Sequence, residues 1–148
     1  MIRRFYVHNF HCLENFELPI SGQSSVLLIG KNGSGKTTVS KALEILQKIG
    51  RGVSRVADLV NAKDFGWRRS DVPMRFQIDV ELGGNVFEYE VAFELPSGAK
   101  DIRVHQEKLS VDGKPVYARE MAEVNLLDSR AINFRSTDAT FAIDWLLV

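Results

Sequence analysis

The clearest periodic signal in the chain is strict alternation. Met74, Phe76, Ile78, Val80 and Leu82 alternate with Arg75, Gln77, Asp79 and Glu81. After Gly83-Gly84-Asn85, the run Phe87, Tyr89, Val91, Phe93 and Leu95 alternates with Glu88, Glu90 and Glu94. Period two marks a half-buried strand, so this stretch predicts a β-hairpin with an acidic outer face. Pro96-Ser97-Gly98 turns into a third strand over Asp101 to Leu109, and Asp112-Gly113 into a fourth over Pro115 to Tyr117. Upstream, Ile2 to Phe10 and Glu14 to Leu18 read as strands, the second ended by Pro19 and the turn at Ser21-Gly22.

Two other patterns interrupt the alternation. Val26-Leu27-Leu28-Ile29 is continuously apolar, the signature of a strand buried on both faces. Gly30 to Gly35 breaks it, and Val39, Ala42, Leu43, Leu46 and Ile49 then recur at helical spacing. They predict a helix from Lys36 to Ile49, with Gly50 as its stop. Arg51 to Val72 reads as a connector, with a short helix over Val53 to Val60 as its one candidate element. Near the end, Ser136-Thr137-Asp138 is a cap for a helix running through Phe141, Ile143, Trp145 and Leu146. The final Trp145-Leu146-Leu147-Val148 is apolar, which implies a packing partner or further chain.

The break between apolar run and helix carries the chemistry. Gly30, Lys31, Asn32, Gly33, Ser34, Gly35, Lys36, Thr37 and Thr38 fit the P-loop pattern G-x-x-x-x-G-K-[ST], the Walker A motif, in the expected context of strand before and helix after. The glycines let the backbone curl so that successive N–H groups face phosphate oxygens, and the helix adds its positive dipole end. Lys36 is expected on the β- and γ-phosphates, the Thr37 hydroxyl on Mg²⁺ and Thr38 on the α-phosphate.

Composition narrows the rest. At 148 residues the chain is most simply one domain, and 45% hydrophobic with 26% charged residues is ordinary for a soluble protein. Lys and Arg balance Asp and Glu, so net charge gives no support for non-specific binding to nucleic acid or acidic membranes. Locally, Arg51, Arg55, Lys63, Arg68 and Arg69 with Phe65 and Trp67 make the connector a nucleic-acid contact or, more ordinarily, a solvated loop. Cys12 is the only cysteine, so it forms no intramolecular disulfide; a small, mostly buried role is expected. His8, His11 and His105 are scattered and suggest no metal site, and Asn61-Ala62-Lys63-Asp64 reads as a turn rather than a guanine-reading motif. The chain shows neither a signal-peptide core nor an apolar run of membrane-spanning length, so a cytoplasmic protein without membrane contact is the expectation.

Asn9-Phe10 at the end of the first strand, followed by the Asn32-Gly33-Ser34-Gly35-Lys36 centre of the P-loop, resembles the start of ABC-type ATPases of the SMC, RecF and OLD-like group. The strands from Met74 to Tyr117, with Gln106-Glu107-Lys108-Leu109, resemble the β-rich insert of the OLD-like AAA ATPases. His11 and Cys12 stand where many relatives carry Lys or Arg. The resemblance implies an α/β fold: the N-terminal lobe of a P-loop NTPase, ABC-ATPase-like, with an antiparallel β-rich insert. It divides residues 1–148 as one partial ATPase domain: strands, P-loop and helix over 1–50, connector over 51–72, antiparallel strands over 73–118, and the helical start of a second lobe over 119–148. It further implies ATP and Mg²⁺ as ligands, with Gln106, or less fittingly Gln77, as the glutamine that senses Mg²⁺ and γ-phosphate. A homodimer closing on ATP and a DNA or nuclease-type effector partner follow, in DNA repair, chromosome maintenance or phage defence. The signature motif and the Walker B carboxylates of such proteins have no convincing match; Phe141-Ala142-Ile143-Asp144 is the nearest, with Trp145 in place of the catalytic glutamate. Such a chain binds ATP and hydrolyses it poorly. A small P-loop kinase, with Arg68-Arg69 as a lid, is the competing expectation.

Overall fold

Alternation in the sequence becomes one antiparallel sheet in the computed structural model, which describes residues 1–121, 123–126 and 134–135. Its strands are β1 (Ile2–His8), β2 (Phe16–Pro19), β3 (Met74–Leu82), β4 (Asn85–Glu94), β5 (Arg103–Val111), β6 (Lys114–Glu120), β7 (Glu123–Leu126) and β8 (Phe134–Arg135). They lie in the order β2-β1-β3-β4-β5-β6-β7-β8, so the chain leaves the sheet after β2 and re-enters beside β1. The excursion holds the single α-helix among the described residues, α1 (Lys36–Gly50), and three short 3₁₀ turns at Val56–Asp58, Ala62–Asp64 and Gly66–Arg68.

Register follows from the hydrophobic pattern and from the turns. Gly83 and Gly84 both have positive φ, 59° and 88°, the geometry of a tight two-residue hairpin. They put Leu82 opposite Asn85 and carry the pairing back to Met74 opposite Phe93. Across the sheet Phe5, Ile78, Tyr89 and Leu109 form one row, and Val7, Phe76, Val91 and Glu107 the next. These rows face the core, where Phe10, Phe76 and Phe93 meet edge to face at 5.2 and 6.1 Å. The helix buries Val39, Ala42, Ile45, Leu46 and Ile49 against the same cluster. The opposite face is polar. The expected acidic stripe is there, and two of its members meet cations: Arg75 lies 3.4 Å from Glu90 and Arg103 2.7 Å from Glu94.

Four expectations need correction. The run Val26 to Ile29 is not a strand. Leu27 is 80% and Ile29 86% exposed, while Val26 and Leu28 line a shallow cavity with Leu18, Ile20, Val39 and Leu43. A strand buried on both faces requires hydrogen-bonded neighbours, and all the strands pairing among the described residues belong to the antiparallel sheet. The buried P-loop strand expected at the core of the α/β fold is therefore not formed. The helix stop also moves: Gly50 is still helical, and Gly52, at φ 87°, takes the left-handed conformation two residues on. Residues 123–126 and 134–135 are strands where a helical start was expected; the helix from Ser136 and the Phe141–Asp144 segment lie outside the described residues. Val53 to Val60 supplies one 3₁₀ turn rather than a helix. Among the described residues no helix is long and apolar enough to cross a membrane.

Candidate functional site

Gly30 to Thr38 forms a loop closed around its own lysine. Gly33 and Gly35 take φ of 84° and 92°, and Gly35 is the residue preceding α1. These are conformations that a side chain resists, which is why glycine stands at both. Ser34 N–H donates to Lys31 O at 3.2 Å, and Val39 N–H to Gly35 O at 2.9 Å starts the helical ladder. A Cβ on Gly30 would stand 2.6 Å from Ser34 Oγ, so a side chain there would have to turn the Ser34 hydroxyl away.

The Lys36 ammonium sits in this ring. Nζ donates to Gly30 O at 2.6 Å and Lys31 O at 2.8 Å, with Ser34 Oγ at 3.4 Å. No side chain caps α1 and no acidic residue lies in its first turn. The helix therefore presents uncapped N–H donors, its positive dipole end and a fixed cation at one point, an arrangement suited to an anion with several oxygens. Thr37 is exposed and Thr38 half-buried in the first turn of the helix.

The floor of the loop comes from the β1–β2 connection. Phe10 and Leu13 bond each other reciprocally, at 3.1 and 2.8 Å, leaving His11 and Cys12 as the tip of a tight turn. Cys12 was expected to be buried; it is exposed, with Sγ 3.7 Å from Thr38 Oγ1. The reason is its position at a turn tip rather than within a strand. On the far side of the turn, His11 Nε2 lies 3.2 Å from Asp64 Oδ1. Asn61 and Asp64 cap each other across the 3₁₀ turn Ala62–Asp64, as the turn reading of that segment expected.

The other candidates lie apart. Gln77 is on the polar face of β3, accepting from Arg4 Nη1 at 3.0 Å. Gln106 is on β5, with β3 and β4 between it and β1. Its neighbour Glu107 is fully buried and accepts the Tyr89 hydroxyl at 2.6 Å. Burial, then the Glu107 charge, push the Tyr89 phenol well above its ordinary range, so it stays a neutral donor. Tyr117 is raised for the same reasons. Among the described residues no three or more His, Cys, Asp or Glu side chains gather to hold a metal by themselves. An apolar groove of about 680 Å³ along α1, lined by Leu43, Gln47, Ile78 and Val80, contains none of the loop residues. Sequence reasoning singled out Asn9 and His11 but missed their meeting with Asp64 and Gly66 beneath the loop, which only the fold brings about.

Comparison with known proteins agrees with this geometry. The model of the family described as AAA ATPase domain matches residues 1–136. The OLD nuclease of Thermus scotoductus is 39% identical over 46 residues, covering 31% of this chain and 8% of that protein. The energy-coupling factor transporter ATP-binding protein EcfA of Pediococcus pentosaceus is 32% identical over 97 residues, covering 64% of this chain and 35% of the relative. The L-cystine import ATP-binding protein TcyN of Bacillus subtilis is 31% identical over 81 residues, 51% of this chain and 30% of the relative. The chain thus spans about a third or less of the length of the curated relatives it matches. With a glycine loop closed on Lys36 at the head of α1, and a family match running through residue 136, the chain belongs to the AAA ATPase domain family.

Proposed function

We propose that this chain is the ATP-binding N-terminal part of an OLD-like ATPase, holding Mg-ATP on the loop Gly30 to Thr38. The observation that carries the reading is the Lys36 ammonium held by the Gly30 and Lys31 carbonyls at the mouth of an uncapped helix. A triphosphate arriving there meets Lys36 with its β- and γ-phosphates and the N–H groups of the first turn with its remaining oxygens. Thr37 and the phosphates are hard oxygen ligands suited to Mg²⁺, so the ion enters with the nucleotide rather than into a cage of carboxylates. Thr38 then serves the α-phosphate. Gln106 on β5 reaches the metal only if further parts of the ATPase bring the two together. In the intact ATPase, two copies close on ATP and pass that closure to a DNA or nuclease-type partner. Hydrolysis needs groups that orient water beyond those of the loop, so the chain by itself binds ATP and turns it over slowly.

Titration calorimetry with Mg-ATP tests this. The wild-type chain gives saturable binding, and Lys36→Ala weakens it by at least about thirtyfold, about 2 kcal/mol, as loss of a charge-assisted contact does. Equal affinity in a folded Lys36→Ala chain overturns the assignment. So does absence of binding to the folded wild type.

A further inference from the structure

The turn joining β1 to β2 carries more strain and more buried polar contact than a strand connection requires. Asn9 and His11 both have positive φ, 55° and 50°. Asn9 is 1% exposed, and its Nδ2 donates to Arg69 O at 2.9 Å and Val72 O at 2.6 Å. Both partners are carbonyls, so the amide must present its NH₂ to them, and the orientation is fixed. Gly66 N–H donates back to Asn9 O at 3.0 Å, His11 N–H to Asp64 O at 2.7 Å, and Phe10 bridges Phe65. A Cβ on Gly66 would stand 2.8 Å from Asn9 Oδ1 and 3.0 Å from the His11 carbonyl oxygen. The connector is thus clasped to the turn at every residue from Asn9 to His11.

The other side of the same turn touches the loop. Cys12 Sγ meets Thr38 Oγ1 at 3.7 Å, and a Cβ on Gly35 would lie 3.2 Å from Cys12 Sγ and 3.5 Å from Leu13 Cδ2. The floor of the loop, Cys12 and Leu13, therefore follows directly on the clasped residues Asn9 to His11, of which Asn9 and His11 have strained backbone.

We propose that Asn9 is a positioning residue for the nucleotide: its carboxamide pins residues 64–72 beneath the turn and so holds Cys12 and Leu13 under Thr38 and Gly35. The proposal rests on the loop being the nucleotide site. Asparagine is suited to the task because it tolerates left-handed backbone and offers two N–H donors on a short side chain. Without it the carbonyls of Arg69 and Val72, whose bonds to it are partly shielded from water, lose their donor, the connector lifts, and the floor loosens. A floor that must be ordered when ligand arrives lowers affinity.

The test uses the whole chain with three variants. Asn9→Gly tolerates the left-handed backbone and removes the donors; Asn9→Asp keeps the shape and replaces the NH₂ that makes both donations with an acceptor oxygen. His11→Ala cuts the adjacent, half-exposed tie and serves if both Asn9 variants lose the fold by circular dichroism. Two readouts are taken at low temperature. One is Mg-ATP affinity, expected to fall at least about fivefold in each folded variant. The other is the alkylation rate of Cys12, the only cysteine in the chain, measured without nucleotide and expected to rise at least about threefold as the thiol leaves Thr38. A residue that only stabilises the fold lowers the melting temperature and leaves both readouts unchanged, and that result overturns the proposal. If the wild-type chain binds no Mg-ATP, the nucleotide reading fails by itself and Cys12 reactivity decides the clasp: faster alkylation in the variants supports it, and equal rates overturn it.

Discussion

Leu27 and Ile29 distinguish two descriptions of the segment that leads into the glycine loop Gly30 to Thr38. As part of a strand buried on both faces, either side chain would cost about 2–5 kcal/mol when cut to alanine. In the structure Leu27 is 80% and Ile29 86% exposed. Full burial of such a side chain is worth about 1.5–3 kcal/mol, so the fifth or less that is covered contributes no more than about 0.5 kcal/mol. Ile49, 1% exposed on the inner side of α1, is the internal standard, and Ile49→Ala is expected to cost about 3 kcal/mol. At about 2–4 °C per kcal/mol for a chain of this size, Leu27→Ala and Ile29→Ala lower the melting temperature by under about 2 °C. Ile49→Ala lowers it by about 6–12 °C. Differential scanning calorimetry of the three variants measures this directly. Losses at Leu27 and Ile29 matching that at Ile49 would refute the exposed arrangement and restore the buried strand.

Two further outcomes follow from polar groups in the sheet. Burial first, and then Glu88 and Glu17, raise the Asp79 carboxyl above the ordinary aspartate value of 3.8 despite the opposing Arg4, and Asp79 stands directly across from Glu88. A raised carboxyl binds its proton more tightly in the folded state, so ionised Asp79 opposes folding at neutral pH and this cost disappears as pH falls through the folded pKa to the unfolded one. Asp79→Asn is therefore expected to stabilise the chain at pH 7 by under about 1 kcal/mol, the site being half-exposed, with the gain vanishing below pH 3.8 in urea titrations. An undiminished gain at low pH would show that the charge is not its source. Tyr89→Phe keeps the ring and removes the donor 2.6 Å from Glu107, a loss expected at about 1.5–3 kcal/mol by urea denaturation. A neutral result would mean that Glu107 is satisfied without it.

What the sequence made legible is what depends on neighbours along the chain. The alternation from Met74 to Phe93 requires only period two and a Gly-Gly turn, and it appears as the hairpin of β3 and β4. The helix required only its apolar stripe, and the loop before it only glycines at positions of positive φ and a lysine long enough to turn back on Gly30. Features set by distant residues were not legible. An apolar run such as Val26 to Ile29 states a need for partners on both sides but does not supply them. The acidic stripe of β4 predicts repulsion until register brings Arg75 to Glu90 and Arg103 to Glu94.

The loop shows where that division falls within a single site. Its shape is local, written in Gly33, Gly35 and Lys36. Its support is not: Cys12 and Leu13 come from the first hairpin, and they stay in place through Asn9 and His11, whose partners lie more than fifty residues downstream. Chain entropy opposes holding such remote segments together, so each contact must be stabilised by burial or by a satisfied hydrogen bond. Asn9 supplies both, being buried and donating twice. A motif search finds the loop proposed to meet phosphate, whereas the residues packed beneath it are found only by following the hydrogen bonds outward from the loop. The strain at Asn9 and His11 marks that path, because left-handed backbone costs about 1 kcal/mol per residue and persists only where surrounding contacts outweigh it.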